Sequence, residues 1–168
     1  VVIGNPLVVS SVTYEHVLGH VFWGAIIGLG TLSIRYIILG GSFAIFLDSD
    51  HLLQFLDIEL VSRMSHSIPF AVIVSIVFFV ILRGKDIRIC AVAFAAVLSH
   101  LAFDIFLADV AFGSGTKFPL FSPFTFETVP FQGLDWLSIQ IIGVAIVAIT
   151  SYFYKRKEIK LKNNFTKT

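Results

Sequence analysis

His100 and Asp104 stand four residues apart in LSHLAFDIFLADVAF, a stretch at residues 98–112 that is otherwise almost wholly apolar. Side chains at i and i+4 share one face of a helix, so this pair can grip one ion or two adjacent ions. An imidazole and a carboxylate in an apolar helix are costly unless paired or metal-bound. Taken alone, the pair reads equally well as a hydrogen-bonded tie within a bundle. DSDH at residues 48–51 adds Asp48, Asp50 and His51, and such carboxylate clusters hold hard or borderline divalent cations and can bridge two of them. RMSHS at residues 63–67 supplies His66 as a further ligand and Arg63 as a planar fork for an anionic group. EHVLGH at residues 15–20 carries His16 and His20, again four apart. His20 is the expected ligand, and His16, beside Glu15, the solvated or supporting member.

The elements that must position these residues are set by composition. The 168 residues are 57% hydrophobic and 14% charged, with 18 Phe and a mean hydropathy of +0.91. Soluble domains average roughly 45–50% apolar. An all-α, polytopic integral membrane bundle of about five transmembrane helices follows, because chain in lipid must satisfy its own backbone. The length fits one domain over residues 1–168, with a loose or interfacial tail at 1–15 that lacks the marks of a secretory signal. A basic cytoplasmic tail occupies 155–168. The single Cys, Cys90, excludes an intrachain disulfide and a Cys-rich metal site. The net charge of +1 says nothing about partners, and no nucleic-acid partner is expected.

Five apolar segments emerge: Val17 to Ser33, Tyr36 to Leu47, Ser67 to Leu82, Ile87 to about Ala108, and Leu134 to Tyr154. The last two are long enough to span, and the third is near the short limit. The second, only 12 residues with Gly40-Gly41 inside, could instead be re-entrant or buried. Basic residues cluster at RGKDIR (83–88) and after Tyr154; by the positive-inside rule both are cytoplasmic, which puts the N-terminus outside the cell membrane and the C-terminus inside. Arg35 then lies in an inner turn. On that path His20, Asp48, Asp50, His51, His66, His100 and Asp104 all gather at the outer face. Lys and Arg alone define the topology, so the convergence is independent of it.

Imidazole nitrogen and carboxylate oxygen donors, with no thiolate and more ligands than one tetrahedral ion needs, suit two divalent ions, zinc first and manganese or iron next. Two ions about 3.5–4 Å apart activate water and stabilise a phosphoester displacement, so metal-dependent hydrolysis is the expected chemistry. Asp50 is the expected proton acceptor and Arg63 the group that offsets phosphate charge.

The order of these motifs resembles the YdjM-like family of predicted membrane-bound metal-dependent hydrolases over about residues 19–123. Gly19-His20 is similar to its N-terminal histidine, LDSDH (47–51) to its P-D-x-D-H, RMSHS to its H-R-G-x-T-H-S and LSHLAFD (98–104) to its S-H-x-x-x-D. Leu47 stands where the family has proline, and Ser62 where its first histidine would come. The resemblance implies a helical fold with a His/Asp metal cluster. Through a distant similarity to zinc-dependent phospholipase C and related zinc nucleases, it also implies phosphoester hydrolysis.

Membrane lipids and a phosphoester substrate, a lipid headgroup among the candidates, are the expected partners. The loop FPLFSPFTFETVPF (118–131) is expected at the outer interface, its Phe side chains dipping into the acyl boundary. Two other readings use the same residues: a metal-binding or metal-transporting protein without hydrolytic activity, and a structural or regulatory membrane protein tied together by polar contacts. A carrier should also show ionisable residues in the inner helix halves. Few are present there.

Overall fold

Helix packing begins with glycine. In the computed structural model, which describes residues 14–47, 64–82, 84, 86–113 and 115–165, helices α1 (Tyr14–Leu29) and α2 (Ile34–Leu47) form an antiparallel pair. A Cβ on Gly24 would fall 2.3 Å from the Gly40 carbonyl oxygen, and one on Gly28 2.3 Å from that of Tyr36. The two backbones touch, as small residues permit in membrane helix pairs. Gly40 and Gly41 therefore do not interrupt the second segment; they are the surface on which it packs. The reversal between the helices is closed by Thr31, whose hydroxyl donates to Gly28 O at 2.8 Å and accepts from Ser33 N at 3.2 Å.

A single 3₁₀ turn, Met64–His66, leads into α3 (Ile68–Ile81). Ser67 caps α3 by accepting from Phe70 N at 3.2 Å, with Pro69 in the first turn, where its missing N–H costs nothing. Helix α4 (Arg88–Phe112) ends on Gly113 at φ 58, a left-handed cap that favours glycine. It is the central helix: α1, α2, α3 and the last helix all pack on it, and 72% of its apolar span is buried. Ala91, Ala93, Ala95, Ala96 and Ala102 provide the narrow faces that this crowding needs.

Two short strands follow, β1 (Thr116–Phe118) and β2 (Val129–Phe131), antiparallel with Thr116 opposite Phe131 and Phe118 opposite Val129. The stretch expected as an interfacial loop, residues 118–131, thus has both its ends in strands. Helix α5 (Asp135–Phe165) closes the chain at 31 residues. The helices reach into the segments expected as tails: Tyr14 and Glu15 belong to α1, and residues 155–165 continue α5. The latter run contains Lys, Arg, Glu and Leu but neither Gly nor Pro, so nothing in it stops a helix.

All five apolar segments are thus helices, and the described residues form an all-α bundle with one small hairpin. Among the described residues, only α4 and α5 are long and apolar enough to cross a membrane on their own. By rise per residue α1 is about 24 Å long and α2 and α3 about 21 Å, short of a hydrocarbon core of about 30 Å.

Candidate metal centre

Two helices and one turn deliver the ionisable residues to one point. His16 and His20 lie in the first two turns of α1, His66 closes the 3₁₀ turn before α3, and His100 and Asp104 project from the middle of α4. His20, His66 and His100 are buried. Asp104 is the hub: its Oδ1 is 3.4 Å from His20 Nε2, and its Oδ2 is 2.9 Å from His66 Nε2 and 3.6 Å from His100 Nε2. Two further approaches are nitrogen to nitrogen, His20 Nε2 to His16 Nε2 at 3.1 Å and His100 Nε2 to His66 Nε2 at 3.1 Å.

The ring orientations are set from behind. His100 Nδ1 donates to the Ala44 carbonyl of α2 at 3.0 Å. A carbonyl only accepts, so in the neutral ring the proton is on Nδ1 and the lone pair of Nε2 faces the cluster. His66 Nδ1 is 2.9 Å from Ser65 Oγ, which turns its Nε2 inward in the same way. Metal-binding histidines are held through their other nitrogen in this manner. Aromatic packing fixes the ring planes: His20 stacks on His100 at 4.0 Å, and His66 stacks on Phe118 of β1 at 5.2 Å. Phe103 packs edge-on against His20 at 4.7 Å and occupies the space that a Cβ on Gly19 would need, only 1.9 Å from its ring. Gly19 therefore makes room for the wall behind its neighbour His20.

Among the described residues the donor atoms fall into two overlapping groups, His16, His20 and Asp104, and His66, His100 and Asp104, with all atoms of a group within 4.8 Å of one another. Metal–ligand bonds of about 2.0–2.1 Å in a tetrahedral arrangement put neighbouring ligand atoms roughly 3.3 Å apart. The observed separations of 2.9 to 3.6 Å bracket that figure. Facing imidazole nitrogens are held together by a cation or by a shared proton. The donor set fits a divalent metal.

Of the residues expected at the site, the structure brings together His20, His66, His100 and Asp104. It also brings in His16, which the sequence reading had placed in a supporting or solvated role. The signal was present, since His16 and His20 have the same spacing as His100 and Asp104. Asp48, Asp50, His51 and Arg63 lie outside the described residues.

A family model described as YdjM inner membrane protein matches residues 13–164, which contain the whole cluster. No curated protein and no solved structure matches the chain.

Proposed function

The chain belongs to the YdjM inner membrane protein family, and from that premise we propose that it is a membrane-embedded, metal-dependent phosphoesterase. The observation that carries the reading is Asp104, whose two oxygens face two different histidine groups, as a carboxylate shared by two cations would. His16 and His20 would hold one cation and His66 and His100 the other, zinc first and manganese or iron next. Asp48, Asp50 and His51 complete the ligand set on the strength of their motif.

When bound, two such cations supply an acidified water and offset charge on the phosphoryl oxygens. The chain's own groups do the rest. The Ala44 carbonyl and Ser65 hold the His100 and His66 rings in orientation, so no reorganisation is needed as charge develops. Asp50 accepts the proton that leaves the attacking water, and Arg63 neutralises the phosphate oxygens in the transition state.

In this reading the three shorter helices are also membrane helices. Leu18, Phe22, Ile26 and Leu29 form an exposed stripe along α1, and Val72, Ile73, Ile76, Val77 and Val80 an exposed face on α3. Apolar faces of that size turned outward on a bundle suit lipid rather than water. The basic clusters at 83–88 and after Tyr154 put the opposite end in the cytoplasm and the site at the extracytoplasmic interface.

The test is metal content and turnover of the full chain in detergent. Elemental analysis should find about two divalent ions per chain, and hydrolysis of bis(p-nitrophenyl) phosphate should vanish on chelation and return with zinc. Turnover in metal-free protein would sink the proposal. Metal retained without turnover would favour the metal-carrying reading instead.

A further inference from the structure

The hairpin loop between β1 and β2 turns one aromatic inward and three outward. Phe118 is buried and stacks on His66, and Leu120 O accepts from Ile68 N at 2.9 Å, so the loop is anchored to the site at its base. Just beyond that anchor Phe121, Phe124 and Phe126 are exposed, Phe124 by 85%. The loop joins α4 to α5, the two helices long enough to cross a bilayer, so it lies where both leave the membrane. The exposed apolar surface does not stop at the loop: Leu134, Leu137, Ile141 and Ile142 carry it down α5, whose apolar span is only 22% buried within the bundle. The aromatic tip is thus continuous with a lipid-facing helix at one end and with the His66 ring at the other.

We propose that Phe121, Phe124 and Phe126 form a wedge in the acyl region of the leaflet beside the metal centre, and that the substrate is a phosphoester anchored in that leaflet. The second half rests on the phosphoesterase reading; the first does not. Removing a phenyl ring from water is favourable, so three exposed Phe side chains have a strong drive toward the nearest apolar phase. For a loop at the mouth of two spanning helices, that phase is the acyl layer. A phosphate headgroup attached to those acyl chains would sit beside Phe118 and His66 with no need to leave the membrane, whereas a freely soluble phosphoester gains nothing from the wedge.

The wedge is tested by fluorescence of the full chain reconstituted in phosphatidylethanolamine and phosphatidylglycerol vesicles. The emission added by Phe124→Trp, over the background of Trp23 and Trp136, should be quenched about twofold or more by brominated acyl chains. A red-shifted emission quenched by aqueous acrylamide but not by bromolipid would overturn the wedge. So would a blue-shifted emission that neither reaches, which would mean a packed lid or a second copy of the chain. The substrate class is tested by the ratio of turnover on vesicle phospholipid to turnover on bis(p-nitrophenyl) phosphate. Replacing Phe121, Phe124 and Phe126 together by Ser should lower that ratio by about tenfold or more, and an unchanged ratio would overturn the leaflet-anchored substrate. Bromolipid quenching with no turnover on either compound would leave the wedge standing and defeat the phosphoesterase reading.

Discussion

The bundle has a polar cluster at each end, and the two are built on opposite principles. At the end away from the site, Arg88 of α4 holds Asp86 with Nη2 2.7 Å from Oδ2 and with Nε on both oxygens. Tyr36 of α2 donates to the same carboxylate. The Arg88 guanidinium lies over the rings of Tyr36 and of Tyr154 on α5, at 5.0 and 4.2 Å. A guanidinium meets a carboxylate, and the cluster staples three helices. At the other end, among the described residues, four imidazole nitrogens converge on one carboxylate, nitrogen facing nitrogen. A cluster whose charges and donors cancel is a structural tie. A cluster of facing imidazole nitrogens around a carboxylate has the donor set of a cation site.

The sharpest way to break that contrast is to remove one member from each end. His100→Ala should abolish metal retention, a loss well beyond the 10–100-fold, approximately, that supporting groups around a metal typically cost. Arg88→Ala should leave metal content unchanged while lowering thermal stability, because it strands Asp86 and Tyr36. Elemental analysis and a melting curve on both variants read the two effects separately. Equal metal loss in both would mean that the site depends on general bundle integrity and not on its own ligands.

The two ends were also unequally legible in the sequence. Histidines are rare enough in apolar helices that their placement on one side of a topology drawn from Lys and Arg already indicated convergence, and His20, His66, His100 and Asp104 do meet. The staple was not foreseen, because Asp86 and Arg88 sit inside a basic turn where they read as solvated charges, and nothing local shows that Tyr36, 50 residues away, reaches them. Gly40-Gly41 looked like a break because glycine weakens an isolated helix, whereas its role depends on Gly24 of a different helix. The hairpin strands are three residues each, too short to show an alternating pattern.

Gly24 lies between the two ends and tests whether they depend on the same α1–α2 contact. Gly24→Val places a branched side chain against backbone 2.3 Å away, and backbone cannot rotate aside. Overpacking of this kind costs roughly 1–3 kcal/mol. Because His16 and His20 ride on α1 while Ala44 of α2 orients His100, the variant should lose both stability and metal affinity. A stable variant with normal metal content would show that the crossing is looser than the geometry indicates.

Ser65→Ala should have a smaller effect. It removes the partner of His66 Nδ1 without touching a ligand atom, and the expected cost is about tenfold in metal affinity, read by competition with a chelator of known strength. Loss as complete as in His100→Ala would mean that Ser65 binds the metal directly.

The smallest expected effect is a pH dependence that belongs to the staple alone. Burial pushes the Asp86 carboxyl up, but hydrogen bonds from Arg88 and Tyr36 and the guanidinium charge outweigh it and hold it below the ordinary 3.8. A carboxyl lowered on folding contributes stability that is present above its unfolded value and is lost as pH falls through its folded value. The contribution should be of order 1 kcal/mol, as for a partly exposed ion pair. Wild type should therefore melt above Asp86→Asn by a constant margin near about pH 6, and the margin should close once the pH drops below 3.8. Taking the difference between the two proteins removes the acid sensitivity of the metal centre, which both share. A margin that stays flat through that range would mean that Arg88 is held by the Tyr36 and Tyr154 rings and not by the Asp86 charge.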